Sequence, residues 1–299
     1  MPKRARSRTL DQKGLLDGKL AVVTGAGSGM GKAFALRWGA EGMNIVIGDI
    51  QQDALDATVA ELSAAGVPVL GLRTDVSKLA DIEALADAAE QRFGKIHLVH
   101  NNAGVEGYLD GPIWAATAKD WDWTLSVNLM SVVYGIRTFV PRMLAHGEDG
   151  HVVNTCSMTS VIAATNMYGI CKHAILAMTE VLAADLQAAG ANVAATGICP
   201  GIIATNLFHG SRNRQAELSN ETGMSASGAE LRDHMHAVLS KGMPPSEVAD
   251  KVVTAVREKK LYLLTDHEWD SRIVARHEAI MAGAVGPAAT GMLDAEGVR

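Results

Sequence analysis

Leu20-Ala-Val-Val-Thr-Gly-Ala-Gly-Ser-Gly-Met-Gly31 is the stretch on which the reading of this chain turns. The apolar run Leu20–Val23 has the length and character of a fully buried strand. It empties into four glycines, Gly25, Gly27, Gly29 and Gly31, before an amphipathic pattern begins near Lys32. The spacing predicts strand, tight turn, helix. Glycine permits positive φ and lets an anion approach bare backbone. The first N–H groups of the helix are unpaired by construction and its dipole adds to the attraction. Gly25, Gly27, Ser28, Gly29, Met30 and Gly31 are therefore candidates to hold the pyrophosphate of a dinucleotide. A glycine-rich turn also occurs where a helix merely packs closely on a strand, so the flanking sequence has to arbitrate.

A dinucleotide with a free ribose calls for an acidic residue about 20 residues beyond the first glycines, at the end of the second strand. Asn44-Ile-Val-Ile-Gly-Asp49 supplies it. Asp49 can accept hydrogen bonds from a ribose 2′-hydroxyl and would repel a 2′-phosphate. No Arg or Lys stands in Thr24–Gly31 or directly after Asp49 to offset that charge. The expected cofactor is NAD rather than NADP.

The chain's 299 residues, 48% of them hydrophobic, suffice to bury one full α/β core of about 250 residues with tails. A net charge of −6 with dispersed basic residues carries no nucleic-acid footprint. No apolar run approaches the roughly 20 residues that span a bilayer. Cys156, Cys171 and Cys199 show no metal-ligand spacing and leave one thiol over in any pairing, which suits a reducing compartment. A cytoplasmic protein without metal is expected. Residues 1–17 read as a basic, solvated tail. No apolar segment follows to make a secretory signal, and Asp11 and Asp17 argue against a transit peptide. Residues 18–283 form the domain, and 284–299, rich in Gly, Ala and Pro, a loose tail.

Strands are expected at Val67–Arg73, Ile96–His100, His151–Thr155, Ala191–Cys199 and Leu261–Leu264. Helices are expected at Gln52–Ala65, Leu79–Phe93, Lys119–His146, Tyr168–Gln187 and Ser246–Lys259. The alternation calls for a parallel sheet covered on both faces. The fourth strand runs out into Asn101-Asn102-Ala103-Gly104, whose small residues and side-chain amides can hold neighbouring strand ends at the ligand crevice. The loop 105–116 offers Glu106, Tyr108 and Trp114. Asn128 is a polar exception inside an apolar helix. The segment from about 206 to 243 reads as loop and short helix, with the length of a substrate lid.

Tyr168 and Lys172 stand at i and i+4, on one face of a helix at its first turn, where an ammonium would favour the phenolate and lower the tyrosine's pKa. Ser157 lies at the end of the fifth strand. A bare Tyr-x-x-x-Lys is common by chance; the order of parts is not. Glycine turn, acidic strand end, Asn-Asn-Ala-Gly, buried Asn, strand-end Ser, then Tyr and Lys together resemble the short-chain dehydrogenase/reductase family over roughly residues 15–283.

The resemblance implies a single-domain, doubly wound Rossmann fold with a parallel seven-stranded sheet and helices on both faces. It implies an NAD-dependent oxidoreductase acting on CH–OH groups. Tyr168 would exchange the proton with the substrate oxygen, Ser157 would hold that oxygen, and Lys172 would bind the nicotinamide ribose. Asn128 would hold a water leading from Lys172 to solvent. Asp75 would meet the adenine with Val76 beside it, and Asn101, Asn102, Ala103 and Gly104 would shape the cofactor floor. Pro200, Gly201, Ile203 and Thr205 would approach the nicotinamide. One departure matters: the family usually sets its serine and tyrosine two residues further apart than here. By distance that makes Thr155 the formal match, with Ser157 preferred for its strand-end position and Ser160 in reserve.

Met158, Met167, Ile202, Leu207 and Phe208 are expected to line an apolar substrate pocket with no basic residue near the motif. The expected substrate is an uncharged, hydrophobic or aromatic secondary alcohol, or its ketone. The alternatives are a 3-oxoacyl-type reductase, which Asp49 argues against, and a silent NAD(H)-binding regulator. The apolar helices Lys119–His146 and Tyr168–Gln187 point to a homodimer or homotetramer.

Overall fold

The computed structural model describes residues 16–284. Seven strands, β1 Leu20–Thr24, β2 Asn44–Asp49, β3 Val69–Arg73, β4 Ile96–Asn101, β5 Gly150–Thr155, β6 Val193–Cys199 and β7 Tyr262–Leu264, form one sheet in the order β3-β2-β1-β4-β5-β6-β7. Every pairing is parallel. The order reverses between β1 and β4, and the crevice at that switch point opens where the glycine turn lies.

Both faces of the central strands are buried, which is why they read as unbroken apolar runs. Ala21, Val23, Ile45 and Ile47 point into one core, where Phe34 and Trp38 of α1 (Gly29–Ala40), Leu55 and Leu62 of α2 (Gln52–Ala64), and Val248 and Val252 of a later helix meet them. Leu20, Val22 and Val46 point into the opposite core. There they meet Ile82 and Leu85 of α3 (Leu79–Phe93) and residues of three further helices. Each strand thus feeds two cores by its period of two.

The region expected as one helix over Lys119–His146 is α4 (Ala118–Leu125) and α5 (Ser131–His146), joined by a wide π-turn at Ser126–Met130 that carries Asn128. Thr117 caps α4 with Asp120 in a reciprocal capping box. Helix α6 (Met167–Ala188) starts one residue earlier than expected, capped by Asn166. The segment expected as loop and short helix holds 3₁₀ turns at Leu207–Asn213 and Ala216–Leu218 and a fourteen-residue α7 (Ala226–Leu239). Helix α8 (Pro245–Arg257) follows, and the sequence analysis missed α9 (Asp270–Ala282), which buries none of its residues.

Leu16, assigned by sequence to the solvated tail, is buried in the first core. The rest of that tail through residue 15, and the C-terminal tail from 285, lie outside the described residues. Among the described residues no helix is long and apolar enough to cross a membrane.

A buried polar chain ties the sheet to α6. Asn101 donates to Asn154 at 2.9 Å, Asn154 donates to Thr179 at 2.9 Å, and Thr179 donates to the Ile175 carbonyl at 2.7 Å. Gly135 of α5 leaves the room this chain needs: a Cβ there would stand 2.1 Å from Asn101 Oδ1. Glycine to alanine inside a helix ordinarily stabilises by about 0.5–1 kcal/mol. Gly135→Ala should instead lower the thermal midpoint, with a loss on the order of 1–3 kcal/mol from overpacking; calorimetry or circular dichroism reads the sign directly.

Candidate active site

The turn between β1 and α1 is built from contacts only glycine allows. Gly25 and Gly29 have φ of 65° and 54°. A Cβ on Gly31 would lie 2.1 Å from the Gly25 carbonyl oxygen and 2.5 Å from the Asn102 side-chain nitrogen. Asn102 Nδ2 donates to the carbonyls of Thr24 and Gly25, and the Thr24 hydroxyl accepts from the N–H groups of Asn102 and Ala103. The end of β4 is thereby laced to the end of β1. Ser28 stands extended at the N-cap of α1 and makes no capping bond, so the first N–H groups of that helix are left for a ligand.

Asp49 accepts from Gly27 N–H at 2.8 Å and from Gln51 N–H at 2.9 Å, which orients its carboxylate at the end of β2. Asp75 accepts from the Ser77 hydroxyl at 2.6 Å and from Gln215 Nε2 at 3.2 Å. Burial would raise the Asp75 carboxyl, but the hydrogen bonds from Ser77 and Gln215 outweigh it and leave the group below its ordinary value. The cleft runs from Asp49 and Asp75 past Ser28, Met30 and the glycines to Tyr168 and Lys172. Val76, Asn102, Ala103, Gly104, Thr205 and Leu207 also line it. Such a bare-backbone cradle beside an acidic strand end fits a dinucleotide.

At the far end the Tyr168 phenol faces the Ser157 hydroxyl, which accepts from Thr159 N–H at 3.2 Å. Lys172 is 2% exposed; its ammonium donates to the Thr155 carbonyl at 2.6 Å and lies 5.3 Å from the centre of the Tyr168 ring. The two rival hydroxyls are engaged elsewhere. Thr155 Oγ1 sits between His100 and Asn102. Ser160 Oγ donates to the Lys172 carbonyl at 2.7 Å and accepts from Ser157 N–H, which closes a 3₁₀ turn, Met158–Ser160, capped by Ser157. That turn takes up the shortened spacing and brings Ser157, of the three, to Tyr168.

Asn128 is fully buried, and its amide grips one residue from both sides: it accepts from Val105 N–H at 2.8 Å and donates to the Val105 carbonyl at 2.9 Å. Gly104 is wedged between Asn128 and Lys172, since a Cβ there would lie 3.2 Å from Asn128 Oδ1 and 3.7 Å from Lys172 Nζ.

The electrostatics differ from the expectation that the ammonium lowers the tyrosine's pKa. Burial strips water from the phenolate and pushes Tyr168 well above its ordinary value, against the smaller opposing effect of the Ser157 hydrogen bond. Burial also lowers Lys172 from 10.5 to about 8. Desolvation dominates both, because the ammonium is directed at a carbonyl and a ring face.

The expected substrate wall is the least well read part. Leu207 lines the cleft. Met158 is 1% exposed and packs with Ile162 and Trp269, Phe208 is enclosed with Leu109, Met235 and Leu239, and Ile202 joins both clusters from their edges. Met167 is also buried. Phe208 is thus packed within the lid and Met158 at the approach to α9. Pro200, Gly201 and Ile203 likewise stand behind the cleft: the Pro200 carbonyl accepts from Met158 N–H, Gly201 lies against Asp266 and Trp269, and Ile203 bridges to Met243. Gly27 is turned to Asp49 and lies outside the lining. Of the loop 105–116, Trp114 is exposed, Tyr108 donates to the Asp110 carbonyl, and Glu106 is buried. Sequence reasoning missed Gln51, Arg212, Asn213 and Gln215, which line the same cleft and meet only through contacts some 140–160 positions apart.

The pattern of the short chain dehydrogenase family matches residues 19–216. The chain belongs to that family. The curated CLA biosynthesis dehydrogenase/reductase of Lactiplantibacillus plantarum is 33% identical over 268 residues, covering 88% of this chain and 93% of the relative. The C alpha-dehydrogenase of a Sphingobium strain is 31% identical over 94% of this chain and 90% of its own. Among solved structures, a short-chain dehydrogenase/reductase from Burkholderia phymatum in complex with NAD superposes with a TM-score of 0.88 at 39% identity. It covers 91% of this chain and 97% of that one. This short-chain dehydrogenase/reductase therefore carries the fold and the enzyme class, oxidoreductases acting on CH–OH groups, that its motifs imply.

Lys172 is a buried base whose pKa falls on folding, so between about 8 and 10.5 the unfolded chain binds more protons and stability rises with pH. Lys172→Met cannot titrate, and all other groups are common to both proteins. Its thermal midpoint relative to wild type should therefore fall as the pH is raised from about 7 to about 9. Parallel melting curves across that range test the assignment, and a constant difference contradicts it.

Proposed function

We propose that this short-chain dehydrogenase/reductase interconverts an uncharged, hydrophobic or aromatic secondary alcohol and its ketone, with NAD as the coenzyme. The observation that carries the reading is one cleft with a bare-backbone turn and Asp49 at one end and a Tyr168 phenol facing the Ser157 hydroxyl, with Lys172 beside it, at the other. Gly25, Ser28, Gly29, Met30 and Gly31 would hold the pyrophosphate and Asp49 the ribose hydroxyls. Asp75 and Val76 would flank the adenine, and Thr205 and Lys172 would lie at the nicotinamide end. The NAD complex of the Burkholderia relative supports the choice of coenzyme. So does the oriented carboxylate of Asp49, which would repel a 2′-phosphate.

Bound nicotinamide would supply the hydride acceptor or donor. Tyr168 and Ser157 would meet the substrate oxygen together. In ketone reduction Ser157 donates a hydrogen bond to the carbonyl oxygen, and Tyr168, held protonated by its burial, gives its proton to the forming alkoxide. In alcohol oxidation the phenol must first lose its proton. Burial opposes that step, and Lys172 favours it only while charged. Oxidation is therefore expected to quicken as the pH rises toward about 8 and to gain less beyond it, where Lys172 loses its charge.

Leu207 contributes apolar surface to the cleft, the support for an uncharged substrate. Leu144 of α5 and Ile170 and Val181 of α6 are exposed apolar residues on the helices proposed to pair in a homodimer or homotetramer, and light scattering at micromolar concentration tests this.

Tyr168→Phe keeps the ring and removes the proton, so kcat on the best alcohol of a substrate panel should fall by about two to four orders of magnitude while NADH binding survives. Retention of more than about a tenth of wild-type kcat, with a deuteride isotope effect showing that chemistry limits the rate, would refute the role. Ser157→Ala should cost more activity than Thr155→Ser. NAD should exceed NADP by at least about tenfold in kcat/KM, and Asp49→Ser should narrow that gap.

A further inference from the structure

Glu106 is 2% exposed and takes no part in the site described above. Its Oε1 accepts from Ser211 N–H at 2.9 Å, and the Ser211 hydroxyl and Gly210 N–H face the same carboxylate. Its Oε2 is buried without a hydrogen-bond partner, and burial raises its carboxyl above the ordinary value. A buried acid with an unpaired oxygen is costly for a fold to keep. The position explains what it does: Ser211 and Gly210 belong to the 3₁₀ turn of the lid, Gly210 and Val105 line the dinucleotide cleft, and Val105 is the residue gripped by Asn128.

The same strand of lid is fastened further along. Asn213 accepts from Gln51 Nε2 at 2.6 Å, Arg212 donates to Gln51 Oε1 at 3.3 Å, and Gln215 donates to Asp75. Arg214 pairs with the buried Asp120 at 2.7 Å and stacks over Trp123. Residues 210–215 therefore cross the coenzyme cleft from its catalytic end to its adenine end.

Resting on the coenzyme reading above, we propose that residues 210–215 form a strap that retains the bound dinucleotide and that Glu106 is the positioning residue that buckles the strap at the catalytic end. Opening the strap returns the unpaired Glu106 oxygen to water, so the buckle closes without locking. Gly210 is part of the fit, because a Cβ there would stand 2.4 Å from Glu106 Oε2.

The test is NADH release from the full-length protein, followed by stopped-flow fluorescence against excess NAD. Glu106→Ala removes the acceptor, and Gly210→Ala pushes the strap away while leaving the carboxylate in place. Each should speed release by about tenfold or more. Glu106→Gln keeps one acceptor oxygen for Ser211 N–H and should stay within about threefold of wild type. Should Glu106→Ala fail to fold, Gly210→Ala decides alone. Release within about twofold of wild type in the folded variants overturns the proposal, as does Glu106→Gln behaving like Glu106→Ala. Wild-type protein that does not bind NADH at all overturns the coenzyme reading, and the strap with it; normal binding with unchanged release overturns the strap alone.

Discussion

Gly31 packs so closely on the Gly25 carbonyl that no side-chain carbon fits between them. That contact sets α1 directly behind the end of β1, and the Asn102 amide, donating into the same turn, fixes the end of β4 beside it. The crevice at the reversal of strand order is therefore walled by backbone that cannot recede. Everything that lines the cleft is placed relative to this knot: Asp49 through Gly27 N–H, Gly104 through Asn102, and Lys172 through the Thr155 carbonyl on the neighbouring strand.

Burial governs the chemistry of the two titrating groups more than their mutual attraction does. Desolvation favours the neutral forms of half-buried Tyr168 and buried Lys172, a phenol and a partly discharged amine. The i, i+4 spacing made the pair visible but predicted the wrong sign for the tyrosine. Spacing reports proximity; it does not report what the ammonium's hydrogen bonds are spent on, and here one goes to Thr155.

The sheet was legible because strands buried on both faces write continuous apolar runs, and the observed strand starts fall within two residues of those expected. The glycine turn, Asp49 and the Tyr168–Lys172 pair were legible because each depends on contacts near in sequence or on a helix repeat. Ser157 against Ser160 and Thr155 was not, since a single 3₁₀ turn decides which hydroxyl meets the phenol. The substrate wall was not legible for a different reason: Met158 and Phe208 are apolar enough to line a pocket and equally suited to packing under Trp269 and the lid, and hydrophobicity alone cannot separate the two fates. The π-turn at Asn128 left no periodicity break long enough to notice. Helix α9 buries none of its residues, so no core-facing run marked it in the sequence.

The lid divides its labour along its length. Residues 210–215 meet the cleft loops through polar groups and main-chain N–H groups. Leu207 and Phe208 before them and Met235 and Leu239 after them face one another and Leu109 through apolar surface. Apolar packing tolerates exchange of one hydrophobic shape for another far better than a polar contact tolerates loss of a partner. Over evolutionary time the flanking segments can drift toward new alcohols while the middle keeps its grip, so a lineage built on this frame can diversify its diet without renegotiating its coenzyme.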